Sequence, residues 1–349
     1  MNDSRTSSHM LAIENLVIEI LKCDPPKIVI QNWKQRKNLE FTDRLMLKTR
    51  EKIDIKQIRF NLLRSRFTFT VITYLLSKIY DMLLSNTWYT KRELYYQASH
   101  FIRCQSMIDA AIQIICNLLD SPPWEIGIMA TSKGLVSGQL VIKIDNEHVI
   151  DCSLPTGTLI PHFICSASVE LRCSAKYVLL IEKDATFQRL LNENILNKLN
   201  GSLLVTGKGF PDVNTRILIN KLSQNLKIPV LALVDADPFG IAIMSVYRYG
   251  SINMCNYAEN LAAPEIKWLG VHPSDMKIRN MVTLPLQKCD LLKLNTLSRA
   301  IFIKSNKQLL KQFEKRDLCI FELGVDCGIH RCRSFLIETV DTAAVMVTT

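Results

Sequence analysis

Beyond about residue 170 the chain alternates short apolar runs with helical stretches, and this alternation constrains the fold more than any other feature. Residues 177–181, 203–206 and 229–234 are continuous apolar runs, of strand rather than helix length. Helical stretches follow each of them, over residues 186–199, from near Pro211, and from Pro238. Strands that are apolar at every position are buried on both faces, so the pattern predicts a mostly parallel sheet covered by helices. Ligands in such sheets lie at the carboxyl ends of the strands.

Acids stand at those ends. Glu182 follows the first run, and Asp235-Ala236-Asp237 follows the third. Residues two apart in an extended chain face the same side, so both aspartates can look at one point. Three carboxylates there form a hard oxygen pocket of the kind Mg²⁺ prefers, and Mn²⁺ suits the same donors. Singly, each acid has a plainer use: Asp237 before Pro238 is a standard helix N-cap. Together they repel unless a cation joins them. Lys183 adjoins Glu182 and is expected on the opposite face of its strand. Between the two acidic ends lies Gly207-Lys208-Gly209-Phe210-Pro211-Asp212. This turn opens a helix and can offer backbone N–H groups to a phosphate, or serve only as a tight turn. It lacks the Walker spacing of a nucleotide-binding loop.

The first half reads differently. A buried helix is expected over residues 67–86. A capping box, Thr90-Lys91-Arg92-Glu93, starts a second, and a third over residues 103–119 stops at Ser121-Pro122-Pro123. Two β-like stretches follow, 124–129 and 139–144, joined through Gly134 and Gly138. Three helices and then a hairpin is the order of a winged helix-turn-helix, a common DNA-binding module. On the second helix Arg92 and Tyr96 share a face. An arginine in the first turn opposes the helix dipole, which makes sense beside a bound anion. A phenol, with a pKa of about 10, attacks only when its proton is removed or its oxyanion is stabilised. A guanidinium could hold both phenolate and phosphate. Arg92 reaches Tyr95 as well as Tyr96, and tyrosines on amphipathic helices are most often packing residues.

Charge points the same way. The net charge is +10, and residues 34–66 hold eleven Lys/Arg against four Asp/Glu. A basic stripe attracts nucleic acid, although a solvated helix face has the same composition. The run Lys34-Gln35-Arg36-Lys37 admits a weak nuclear address. Eleven cysteines without framework spacing fit reduced thiols in a cytosolic or nuclear compartment. The cluster Cys327-x-x-His330-x-Cys332, with Cys319 nearby, lacks the paired pattern of a zinc site. No signal peptide or membrane-spanning run is expected.

In this order the motifs resemble a known family. Arg92-Glu93-Leu94-Tyr95-Tyr96 looks like its nucleophile motif. Val178-Leu179-Leu180-Ile181-Glu182-Lys183 and Leu233-Val234-Asp235-Ala236-Asp237-Pro238-Phe239-Gly240 look like the acidic motifs of a Toprim domain. Thr206–Asp212 and Trp268–Asp275 resemble two further signatures. The set is similar to the meiotic double-strand-break transesterases, relatives of the A subunit of type IIB topoisomerase (topoisomerase VI), from about Phe67 to about residue 315. The resemblance implies an α+β, CAP-like winged-helix domain (61–165) after a basic helical extension (1–60), then an α/β Toprim domain (170–317). It selects Tyr96 as the nucleophile, assisted by Arg92 and Glu182. Glu182, Asp235 and Asp237 are implied as Mg²⁺ ligands, and Lys91, Lys208 and Arg216 as DNA contacts. It further implies double-stranded DNA as substrate, a 5′-phosphotyrosyl link, a homodimer and a nuclear location. The partners implied are a topoisomerase VI B-like ATPase subunit, within an ATP-hydrolysing type IIB assembly, and other meiotic break-forming proteins. The chain departs from the family at residues 318–349, a divergent tail with poor helical periodicity. A topoisomerase VI A subunit that cleaves and reseals DNA, and a catalytically silent DNA-binding isoform, are the competing readings.

Overall fold

A computed structural model describes residues 3–32, 38–44, 46–50, 53–144, 149–270 and 286–298. The chain forms two compact units. One comprises residues 1–42, 47–131 and 251–258; the other comprises 43–46, 132–250 and 259–349. The Lys34–Lys37 run, Val271–Asp275 of the last signature, the Cys319/Cys327/His330/Cys332 cluster and the 318–349 tail lie outside the described residues.

The first unit begins with α1 (Asp3–Leu21). The expected helical extension ends there. Pro25 and Pro26 cannot continue a helix, and the β-branched run Ile28-Val29-Ile30 favours strand. Two antiparallel pairs result, β1 (Lys27–Gln31) with β4 (Ile55–Arg59) and β2 (Leu39–Phe41) with β3 (Leu47–Thr49). Then come α2 (Leu63–Leu84), β5 (Tyr89–Thr90), α3 (Lys91–Ala98), α4 (Gln105–Leu118) and β6 (Ile128–Met129). α2 is long and apolar enough to cross a membrane by length and composition, contrary to expectation. Its apolar stripe is instead the core: Ile72, Leu75 and Ile79 pack with Leu94 and Ala98 of α3 and with Ile108, Ile112 and Ile115 of α4. The capping box forms in both directions. Glu93 N–H donates to Thr90 Oγ1 (3.2 Å) and Thr90 N–H to Glu93 Oε2 (2.6 Å).

The hairpin expected after α4 is not formed. Pro122 and Pro123 set up a 3₁₀ turn over Pro123–Ile126, because proline is pre-organised for the first helical position. That leaves a two-residue strand, β6, which pairs in parallel with β5.

In the second unit, β7 (Leu135–Gly138) is followed by β8 (Leu140–Lys143), β9 (Val149–Asp151), β10 (Thr158–Leu159) and β11 (Glu170–Cys173). β8 pairs with β9 and β11 in a small antiparallel sheet. β12 (Tyr177–Ile181), β13 (Ser202–Thr206), β14 (Val230–Leu233) and β15 (Lys267–Gly270) join β7 and β10 in a six-stranded sheet, ordered β10-β7-β13-β12-β14-β15. The last four are mutually parallel, as the apolar runs predict, while β7 is antiparallel to β13 and β10 to β7. Every residue of β12, β13 and β14 is buried. The result is a mixed α/β domain around a sheet that is parallel across its four strands β13-β12-β14-β15. Its helices include α5 (Asp184–Asn192), α6 (Ile195–Lys198), α7 (Val213–Asn220), α8 (Pro238–Tyr249) and, last among the described residues, a closing helix, Lys288–Ser298. The single helix expected over 186–199 is split at Asn194, whose left-handed backbone asparagine tolerates better than most residues.

Asp212 ties the start of α7 to the strand entering the sheet. Its Oδ1 accepts from Thr215 N–H (2.7 Å), while its Oδ2 accepts from the N–H groups of Lys133 (2.8 Å) and Gly134 (3.1 Å). Gly134 is pressed so close that a Cβ would lie 2.0 Å from Thr215 Oγ1 and 3.0 Å from Thr206 O. Gly134→Ala should therefore destabilise the chain by about 1–3 kcal/mol. Thr215→Ala should recover part of that loss, so urea denaturation of the two single variants and the double variant should give non-additive changes.

Candidate active site

β12 lies between β13 and β14, so the chain steps to one side of β12 and then to the other. Strand order reverses there, and in open α/β sheets that reversal opens a crevice at the strands' carboxyl ends. Glu182 leaves β12, Gly207 leaves β13 and Asp235 leaves β14 at this edge.

Glu182, 9% exposed, accepts a hydrogen bond at Oε2 from the Asp235 backbone N–H at 2.8 Å. This contact needs Gly240: a Cβ there would stand 3.0 Å from Glu182 Oε2 and 2.3 Å from Asp235 O. Asp235 is buried, and its Oδ2 sits 2.9 Å from Lys183 Nζ. Lys183 thus turns into the site, not to the far face as strand alternation predicts. The strand has ended at Ile181, so the alternation no longer applies. Asp237 serves as the N-cap of α8, accepting from Gly240 N–H at 2.6 Å.

Burial, reinforced by Asp235, pushes the Glu182 carboxyl up to about 7, against the opposing pull of the Asp235 N–H bond and of Lys183. Burial also raises Asp237, against the N–H groups of Gly240 and Phe239, and Asp290 adds to the rise. Asp290 is a fourth carboxylate with no motif to announce it. It is buried at the start of the closing helix and accepts from Gln287 N–H (2.7 Å). Lys293, one turn on, places Nζ 5.0 Å from the Phe210 ring and 5.6 Å from the Phe239 ring. That cation–π contact links the glycine-rich turn to the acidic loop.

Among the described residues no three His, Cys, Asp or Glu side chains already converge as a metal cage. The donor set still fits Mg²⁺, which keeps several waters and needs only one or two carboxylates. An acidic group held near neutral pH by burial and by another carboxylate is what a cation would relieve.

The other anticipated contacts divide. Lys208 is exposed in the glycine-rich turn, with Nζ 3.1 Å from Asp184 Oδ2. Arg216 is only 4% exposed on the inner side of α7, and burial depresses its guanidinium to about 10. Its side chain is turned away from the solvent face where a DNA contact was expected. Spacing from the turn could not reveal which face of α7 turns inward.

In the first unit the two tyrosines part company. Tyr95 is half-buried and donates its hydroxyl to Arg103 O at 3.3 Å. Tyr96 is 63% exposed and Arg92 is exposed beside it. Lys91 pairs with Asp109 at 3.3 Å.

Four parallel strands within a mixed sheet, with acids just beyond the ends of two neighbours, fit the class of a Toprim domain. Residues 177–326 match the family model for the Toprim domain of Spo11 and the topoisomerase 6 A subunit, and residues 67–128 match the model for type IIB DNA topoisomerase. The chain is 37% identical to the meiotic recombination protein SPO11 of Mus musculus, over 88% of this chain and 80% of the relative. It is 35% identical to the meiotic recombination protein W68 of Drosophila melanogaster, over 70% of this chain and 74% of the relative. To the DNA topoisomerase 6 A subunit of Arabidopsis thaliana it is 37% identical, over 68% of this chain and 56% of the relative. The chain belongs to the family formed by Spo11 and the topoisomerase 6 A subunit.

The raised Glu182 carboxyl has a measurable consequence. Between the ordinary carboxylate value and about 7 the folded chain keeps a proton that the unfolded chain has released, so stability falls as pH rises through that window. In chelator, Glu182→Gln should flatten the decline. Relative to the parent it should gain on the order of 3 kcal/mol from pH ~4 to ~8 in urea denaturation.

Proposed function

We propose that this chain makes meiotic DNA double-strand breaks by transesterification, with Tyr96 as the nucleophile. The carrying observation is the exposed Tyr96 side chain one helical turn from an exposed Arg92, on a helix fixed by a complete capping box, in a chain whose adjacent parallel strands run out into Glu182 and into Asp235 and Asp237. Tyr95 is the weaker candidate because its hydroxyl already has a partner. The greater coverage of the SPO11 relative than of the topoisomerase 6 relative favours the meiotic reading over strand passage and resealing.

In the proposed reaction Tyr96 Oη attacks a backbone phosphorus. A P–O bond to tyrosine forms, the P–O3′ bond breaks, and the leaving oxygen takes a proton as the 3′ hydroxyl. The product is a 5′-phosphotyrosyl link, a phosphodiester exchanged for a phosphodiester without hydrolysis. Arg92 holds the phosphate and lowers the cost of the phenolate. Glu182, at the end of β12, assists by receiving the phenol's proton. Glu182, Asp235 and Asp237 would hold Mg²⁺, which supplies positive charge to the scissile phosphate. Lys208 contacts backbone phosphate from the glycine-rich turn.

The first unit acts as a DNA-binding module through its helices α2–α4, without the hairpin expected of a winged helix, and two copies assemble so that the tyrosine of one works at the acidic site of the other. A topoisomerase VI B-like subunit brings ATP hydrolysis, and other break-forming proteins complete a nuclear assembly.

The test is recovery of the protein under denaturing conditions from meiotic cells expressing it with its B-type partner. Covalently attached DNA is expected on the parent chain and not on Tyr96→Phe; DNA still attached to that variant removes Tyr96 from the role. Arg92→Ala should reduce adduct by about 10²–10³-fold, with partial return in Arg92→Lys and near-parental DNA binding in gel-shift titrations.

A further inference from the structure

We infer that Lys183 is a built-in competitor for the cation at the acidic site, its ammonium holding the Asp235 oxygen that a divalent ion would take. The inference rests on the metal-site reading of Glu182, Asp235 and Asp237 and goes beyond it, because no ligand set includes a lysine.

The geometry carries it. Lys183 Nζ lies 2.9 Å from Asp235 Oδ2, with the carboxylate side chain buried and that of the lysine one-third exposed. A buried carboxylate without a positive partner is costly, so Asp235 needs compensation whether or not a metal is bound. Lysine suits a temporary role. Its ammonium is a compact charge on a flexible four-carbon stem, without the bidentate grip of arginine. Its backbone, by contrast, is fixed as the residue between β12 and the first turn of α5. The ammonium can therefore leave Asp235 towards solvent while its Cα stays beside Glu182.

Among the described residues, the neighbouring charges are engaged with other partners. Glu182 is engaged by the Asp235 N–H, Asp237 by the Gly240 N–H, and Lys208 lies against Asp184. Asp290 of the closing helix adds negative charge that raises Asp237. A divalent ion approaching Asp235 must thus displace one ammonium, which lowers its apparent affinity without altering the ligands.

The experiment is a Mn²⁺ titration of the chelator-stripped full chain, followed by electron paramagnetic resonance. Lys183→Met should bind Mn²⁺ about tenfold more tightly than the parent. Lys183→Gln, which keeps a donor for Asp235 and protects against misfolding of the first variant, should shift affinity in the same direction by less. Lys208→Met removes an equal charge nearby without touching Asp235, and should change affinity by less than about twofold. Unchanged or weaker binding in Lys183→Met and Lys183→Gln overturns the inference. An equal gain in Lys208→Met also overturns it, because net charge alone would then explain the effect. Asp235→Asn separates the two readings: if it binds Mn²⁺ as the parent does, the metal site itself falls and the competitor with it. If it loses binding while both Lys183 variants match the parent, the site stands and only the competitor falls.

Discussion

The burial of β12 on both faces, between β13 and β14, is the constraint on which the second unit depends. Five consecutive apolar residues satisfy a fully covered strand, and the neighbours on each side are equally buried. Such a strand cannot carry polar chemistry along its length, so polar side chains gather where it ends. Three parallel strands ending together place Glu182, the glycine-rich turn and Asp235 at one edge. The Glu182–Asp235 N–H bond then closes that edge, and Gly240 is the residue that leaves room for it.

Each acid at this edge is managed by a different device. Asp235 has an ammonium, Asp237 has a helix N-terminus, and Glu182 has a single backbone donor that does not offset its burial. Burial carries Glu182 to about 7, and it raises Asp237 as well. In this arrangement Lys183 holds Asp235 and the N-terminus of α8 holds Asp237.

In the first unit the corresponding device is mechanical. α3 is only eight residues long, too short to be stable alone. Its capping box and the burial of Leu94 and Ala98 against α4 hold it in place. Of two adjacent tyrosines, one turns towards a backbone carbonyl and the other stays open to solvent, as follows from the roughly 100° between neighbours on a helix.

What could be read directly from the sequence was whatever depends on local pattern. The apolar runs announced the parallel strands, the Thr90–Glu93 spacing announced the start of α3, and Pro238 announced α8 with Asp237 as its cap. The ordered motifs announced the family. Tertiary structure decided the rest, because it depends on partners far apart in the chain. β8 turned to β9 and β11 and not to residues 124–129, since pairing is settled by which edge is available. Arg216 went inward and Lys183 turned to Asp235, since neither helix face nor side-chain direction beyond a strand's end is encoded in spacing. Asp290 reached the acidic site from more than fifty residues away. Sequence determined which elements form and which acids end them; only the packed sheet decided which charges meet.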